Sequence, residues 1–481
     1  MKSLAKYEEA FKKVKEIYIL VYVTYVLLAR IVPLVNFITL GVNSIIYSVL
    51  AILGLVILLV DFLMTFFVFK SRENIILLLF LVVCLISSVL NMNYGITSNI
   101  KTLVWSAIQF FVLFSIVNIK EENEVNRTMT RVMKISSAIW FAGVIVSLLQ
   151  FFGQVGYVSP FEDFARRQGF VEARLFGVFT DPNFAAVTSI MVVLFCWLLL
   201  KNCNKKAIRV YYITNIVVQL IYVVLSGSRT AMYGGVLLAF ALGVLVVRNK
   251  ELERANRKPF AKALIGGVAA VALSIGMIVL VEYSLPLIVE IGDSFSELLQ
   301  TQEVADNDVE QNEIDKEKEK EHVSLNRPDV SEDNVSNNRY EIWSNYLKIS
   351  ADHRLFGLSP RNLMSYLKAN YPDNFLVTKG YDETHNGWLA IFVCTGIAGT
   401  LVMAAFFAEY IYQGCRYLKA KKNKTIETKI MVLFGCVFIV AVSAVLQPEV
   451  FFINTYGAIT FWLFMGYLLY FMKKETASRK M

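Results

Sequence analysis

The sequence is poor in charge. Only 18% of its 481 residues are Asp, Glu, Lys or Arg, against 56% hydrophobic, and the mean hydropathy is +0.54. That balance excludes a water-soluble globular protein of this length. Histidine is rarer still, with three in the whole chain: His322, His353 and His385. The six cysteines (Cys84, Cys196, Cys203, Cys394, Cys415 and Cys436) lie in apolar runs or short basic loops without metal-ligand spacing. Neither a metal centre nor a disulfide framework is expected from them. No Walker-type phosphate loop, Gly-rich dinucleotide fingerprint, His-Glu-x-x-His helix or Gly-x-Ser-x-Gly elbow occurs. An Asp-x-Asp triplet at 306–308 lies in an acidic low-complexity tract, where chance matches are common. The formal charge of +8 does not point to nucleic acid, because the excess Lys and Arg sit in short loops between apolar runs.

What the chain has in abundance is long apolar runs. A helix needs about 20 apolar residues to cross the hydrocarbon core, and such windows centre near residues 28, 57, 83, 108, 142, 191, 217, 238, 273, 400, 438 and 461. The expected fold class is an all-α polytopic membrane protein with about twelve transmembrane helices. The basic stretch at the N-terminus is long and no small-residue cleavage site follows it, so the first run reads as an uncleaved span. Lys and Arg concentrate in every second connection, including 1–16, 118–134, 201–209, 248–262 and 414–429. By the positive-inside rule both termini face the cytoplasm. Residues 1–283 form helices 1–9, residues 284–386 a large extracytoplasmic loop, and residues 387–481 helices 10–12 with a cytoplasmic tail. Within the loop, about 293–338 is acidic and too polar to fold alone. About 339–371 reads as amphipathic helices; Arg339, Ile342, Trp343, Tyr346, Leu347 and Ser350 share one helical face, expected to lie on the membrane surface. Arg30 and Asp61, on adjacent spans, are candidates for an imperfect structural pair.

Four stretches stand out on the expected outer face: "ARLFGVFTDPNFAA" at 173–186, "SGSRTAMYGG" at 226–235, "NNRYEIW" at 337–343 and "ETHNGWL" at 383–389. Three of them enter a span, so helix N-termini point outward there and favour anions. Arg174, Arg229 and Arg339 add positive charge against the positive-inside preference, and guanidinium forks suit a diphosphate. Taken alone, Arg229 is equally a helix-end arginine reaching to lipid phosphates, and Arg174 an ordinary surface charge beside Arg166 and Arg167. Asp181-Pro182 reads as a helix cap. His322 and His353 read as solvated surface residues, and Glu449 in "LQPEVFF" as a turn residue or a further acid or base. His385 is different, since an ionisable group at a membrane border is costly unless paired or used.

In their order along the chain, these stretches resemble the O-antigen ligase and polymerase family of bacterial membrane glycosyltransferases. Arg174 precedes "GVFTDPNFAA", "SGSRTA" opens a span, Arg339 stands three residues before "IW", and "HRLFGLSPRN" and then "HNGWL" follow. The likeness covers roughly residues 170–405, apart from the acidic insertion of about 40 residues. It implies a GT-C-like fold in the bacterial cytoplasmic membrane with the active site facing outward. It implies a donor glycan on a polyprenyl diphosphate, a glycan acceptor and surrounding membrane lipids, and it suggests a flippase and a chain-length regulator as partners. Energy would come from the sugar–phosphate bond, so the resemblance calls for no nucleotide, metal or other cofactor.

On that reading His385 and Arg339 are the catalytic residues, and Arg174, Arg229 and Arg339 bind the diphosphate. Asn183, Asn386 and Glu449 support them. His385 acts either as general base on the acceptor hydroxyl or as hydrogen-bond donor to the leaving phosphate. The activity expected is polymerisation of lipid-linked repeat units, with ligation of a finished glycan as the alternative. The richness in Phe (35) and Tyr (23) suggests a low-GC bacterium, which favours the first. A transporter of lipid-linked glycans is the alternative from another class. It fits less well, because the longest loop falls late rather than midway between two halves.

Overall fold

The computed structural model describes residues 2–36, 38, 40–115, 121–161, 164–254, 259–304, 325 and 337–477. His322, the Asp-x-Asp triplet and most of the acidic tract lie outside these residues.

The chain is predominantly helical. In order, the helices are α1 (Lys2–Leu28), α2 (Val32–Asn36), α3 (Leu40–Thr65), α4 (Arg72–Leu90), α5 (Thr97–Ile108), α6 (Glu122–Phe152), α7 (Pro182–Lys201), α8 (Lys206–Leu225), α9 (Arg229–Glu253) and α10 (Pro259–Val304). The three loop helices are α11 (Arg339–Ile349), α12 (Leu363–Asn370) and α13 (Phe375–Thr378). The last three are α14 (Gly387–Ala420), α15 (Thr428–Ser443) and α16 (Tyr456–Ala477). Among the described residues eight helices are long and apolar enough to cross a membrane: α3, α4, α6, α7, α8, α9, α10 and α14. The other expected windows fall on α1 with α2, on α5, on α15 and on α16, which are shorter or more polar. An all-α polytopic membrane architecture is therefore observed, with eight rather than twelve spans meeting that standard.

One departure from an all-helical fold lies ahead of α7. Three strands, β1 (Gly156–Phe161), β2 (Phe164–Val171) and β3 (Arg174–Gly177), form an antiparallel sheet in the order β1-β2-β3. The turn joining β2 to β3 is Glu172-Ala173, both with positive φ (54° and 56°), as a tight hairpin turn requires. β3 lies against α6. There Ser147 Oγ accepts from the Val178 amide, and any side chain at Gly177 would collide with Ser147.

α7 and α16 are apolar around their full circumference and form the core, as helices enclosed by other helices must. Polar groups separate into two ends. At one end the basic segments carry ion pairs: Lys12 with Glu124, Arg127 and Arg131 with Glu16, and Lys429 and Lys474 with Glu122. Asp61 is at this end and pairs with Lys15 at 2.8 Å. The expected Arg30–Asp61 pair is thus corrected. Arg30 lies just past the end of α1, whose last residue, Leu28, is about 20 Å further along the helix than Lys15 at 1.5 Å per residue, so it reaches the opposite end.

At that opposite end the connections expected outside converge. The Thr180 amide donates to Arg30 O, the Val32 amide to Val178 O, and the Gly387 amide to Ala444 O and Gln447 O. α14 is broken at Gly396 (φ +62°), and the segment 354–359 lies in the break. Leu358 and Ser359 amides donate to Val393 O and Cys394 O, while Ile397 and Ala398 amides donate to Arg354 O and Leu355 O. An irregular backbone at this depth is tolerable because the inserted loop satisfies the freed groups. Gly357 (φ +70°) and Gly396 meet the facing backbone so closely that a Cβ at either would strike it.

α11, expected as an amphipathic helix, keeps Leu347 and Tyr340 exposed while other apolar residues pack inward. Ile342, Tyr346 and Ile349 are buried, and the Tyr346 hydroxyl donates to Tyr381 O. His353 is likewise not merely solvated, since its Nε2 lies 3.0 Å from the Tyr366 hydroxyl.

Candidate active site

The turn Glu172-Ala173 aims Arg174 into the interior, where it is 9% exposed. Its Nε donates to Ser226 O (3.0 Å) and its Nη2 to Asn183 Oδ1 (2.8 Å), and the guanidinium stands 5.7 Å from the Phe176 ring centre. One side chain thereby ties β3, the first turn of α7 and the α8–α9 turn together. Arg229 opens α9 from that same turn, three residues after Ser226; Gly227 supplies the positive φ (+60°) and Ser228 caps the helix. The structure therefore brings Arg174 and Arg229 to one turn, by two different elements.

Arg339 opens α11 behind two left-handed residues, Asn337 and Asn338, and its Nε donates to Leu446 O at 3.1 Å. His385 precedes the α14 cap and also has positive φ (48°), a conformation uncommon for residues other than glycine and found disproportionately at functional sites. Its ring meets Tyr381 edge-on at 5.8 Å. Burial, and next the Arg339 charge, hold the His385 pKa below the ordinary histidine value; Asp382 and Asp181 oppose that shift. His385 thus has cationic and anionic neighbours from α11, the α7 cap and its own loop, and the neutral imidazole is favoured.

The three helix N-termini at this face carry side-chain caps. Asp181 Oδ1 accepts from the Asn183 and Phe184 amides, Ser228 Oγ from the Ala231 amide, and Asn386 Oδ1 from the Trp388 and Leu389 amides. These caps satisfy one or two of the four amides that each helix start leaves without an intrahelical partner. Asn386 is therefore the cap of α14, while Asn183 positions Arg174.

Glu449 is far from a simple turn residue. It is 1% exposed in the α15–α16 connection, beside Gly457, whose lack of a side chain leaves room for the carboxyl. Its backbone packs on Gly387 at the start of α14. Burial pushes its pKa up to about 7, against the smaller influences of Ser443 and Arg30. Oε2 has no hydrogen bond of ordinary geometry. Arg30, Asp181 and Thr180 line the same small cavity, and the Arg30 guanidinium stands 5.4 Å from the Phe184 ring centre.

Three further residues at this face were not singled out as site residues by sequence. Arg30 joins the Glu449 cavity. Arg361, in the "HRLFGLSPRN" stretch, pairs with Glu383 (Nη1 to Oε1, 3.3 Å) and donates from Nη2 to Phe452 O at 3.2 Å. Burial raises the Glu383 pKa, with Arg361 opposing. The only signal for Arg361 was its place in the ordered set of stretches.

Fold and site together describe a helical membrane protein with arginines and one neutral-leaning histidine gathered at one end. Residues 214–404 match the family model described as O-Antigen ligase, as the resemblance of the sequence implies. No curated protein matches the chain. The matched segment contains Arg229, Arg339, Arg361 and His385; Arg174, Asn183 and Glu449 lie outside it. That match and the membrane-length apolar helices support a membrane protein of polysaccharide biosynthesis, with glycan transfer as the coarse class of activity.

Proposed function

We propose that the protein polymerises lipid-linked glycan repeat units at the outer face of the bacterial cytoplasmic membrane. The donor is a glycan on a polyprenyl diphosphate, and the acceptor is a second lipid-linked unit. The observation that carries this reading is the gathering of Arg174, Arg229 and Arg339 from three elements at the end of the bundle that holds His385. Together these guanidinium groups suit a diphosphate whose negative charge grows as the sugar leaves.

In the transfer, an acceptor hydroxyl oxygen bonds to the donor's anomeric carbon, and the bond from that carbon to the phosphate oxygen breaks. The electron pair leaves with the polyprenyl diphosphate, which the arginines stabilise. The hydroxyl proton passes to neutral His385, whose lowered pKa keeps a ring nitrogen ready to accept it. Glu449, buried behind the start of α14, is a supporting group able to hold a proton near neutral pH.

The test is purified protein given one synthetic polyprenyl-diphosphate repeat unit as sole substrate, with products resolved by chain length. A ladder of lipid-linked oligomers is expected. Product formed only after a second kind of acceptor is added would replace polymerase by ligase, and movement of intact lipid between leaflets would replace both by a transporter.

A further inference from the structure

A second cationic cavity lies at the same end of the molecule, between α3, α5 and the 452–454 loop, with a volume of about 540 Å3. On α5, Ser98, Lys101, Thr102 and Trp105 are spaced as one helical face and line it from the rim inward. Lys101 is exposed, and among the described residues no hydrogen bond or ion pair holds its ammonium. Trp105 is fixed by stacking on Tyr22 (5.2 Å, 22°) and by edge contact with Tyr47 (5.9 Å, 87°). Asn454 is oriented through its Oδ1, which accepts from Gln109 Nε2 (3.0 Å) and from the Tyr22 hydroxyl (3.2 Å). Gln109 begins a π-helical turn at the end of α5, a local irregularity that often marks functional positions.

Arg361 forms the far wall, and its place is rigidly set. Its own amide donates to Asn99 Oδ1 (2.8 Å), Ser359 meets Ser87 and Asn99, and Gly357 O accepts from Asn91 Nδ2. The segment that fills the break in α14 thereby delivers a guanidinium to this cavity. Ser98, Arg361, Phe452 and Ile453 also line a neighbouring cavity of about 220 Å3, whose wall includes Asp382, Glu383 and Thr384. Those three residues immediately precede His385 in the chain, so the two adjoining cavities form one route from Lys101 to the segment that carries the histidine.

We infer that this route binds the acceptor: Lys101 and Arg361 hold the phosphates of a second lipid-linked glycan, whose sugar extends past Glu383 toward His385. This inference rests on the polymerase reading above. The chemistry fits: two cations at a rim suit a phosphate pair, and oriented aromatic and amide groups below suit an amphipathic ligand. Two diphosphate sites on one face, one for each lipid, are what joining two lipid-linked units requires.

The experiment is equilibrium binding of radiolabelled farnesyl diphosphate to the full-length protein in detergent, with inorganic diphosphate as competitor. Wild type is expected to bind two equivalents. Lys101→Gln, at an exposed side chain, should weaken one of them about tenfold or more. Arg174→Gln with Arg229→Gln should weaken the other and leave the Lys101 site intact. A single equivalent unaffected by Lys101→Gln, or two equivalents both unaffected, would overturn the inference while leaving the donor site standing. Displacement of the Lys101-dependent equivalent by inorganic diphosphate as readily as by the prenyl compound would overturn a lipid ligand. Absence of binding at either site would overturn both readings together.

Discussion

Asn183 Oδ1 accepts a hydrogen bond from Arg174 Nη2 at 2.8 Å, and this contact aligns the last strand of the loop sheet with the first turn of α7. Removing it with Asn183→Ala leaves the Asp181 cap of α7 in place and deprives Arg174 of one of its acceptors. Hydrogen bonds to charged groups contribute about 1.5–3 kcal/mol, so kcat/KM for the lipid-linked donor should fall about tenfold or more. Initial rates across a donor series check this, and an unchanged kcat/KM would show that Arg174 is oriented without Asn183.

Much of this arrangement was legible in the sequence, and the missing parts have physical reasons. The helices follow from apolar runs, which the bilayer requires to be long. The sheet escaped because its β2–β3 turn is Glu172-Ala173, where a tight hairpin normally announces itself with Asn-Gly or Asp-Gly. Arg174, Arg229, Arg339 and His385 were found because charge is conspicuous at the ends of apolar segments. Arg361 and Arg30 were missed as site residues because polar contacts between residues hundreds of positions apart place them. The helical period of α11 was legible, but periodicity does not say what covers a face: protein covers Ile342, Tyr346 and Ile349, while Leu347 stays exposed.

The His385 environment gives a pH signature. With its pKa held below the ordinary histidine value, the neutral base persists to lower pH, and kcat/KM should rise with pH through that lowered value and then level. Arg339→Gln removes a charge that opposes the imidazolium, so the rising limb should move to higher pH. A limb that falls with rising pH would instead mark His385 as a protonated donor to the leaving phosphate.

Glu449 gives a stability signature of opposite sense. Its carboxyl binds a proton more tightly in the folded protein, up to about pH 7, than in the unfolded chain. The folded state is therefore favoured at low pH by this group, and stability declines as pH rises from about 4.5 to 7. Glu449→Gln should flatten that part of the curve; thermal unfolding in detergent at several pH values measures it. An equally steep decline in the variant would assign the effect to another group.

The break in α14 should tolerate no side chain. Gly396→Ala places a Cβ at positive φ against Arg354 O and Leu355, and Gly357→Ala does so against Cys394. Strain of this kind costs about 1–3 kcal/mol before the collision is counted. Both variants should unfold at lower temperature than wild type, whereas Gly414→Ala, in open space on the same helix, should not. Equal unfolding temperatures for all three would contradict the close packing of segment 354–359 in the break.

The most direct measurement of the central claim is the rate of polyprenyl diphosphate release by His385→Ala compared with wild type, at saturating lipid-linked repeat unit. Loss of a general base lowers such rates by about 10²–10⁴, and a fall of that size, with prenyl diphosphate binding retained, is the predicted result. Release at the wild-type rate would contradict a reaction centred on His385.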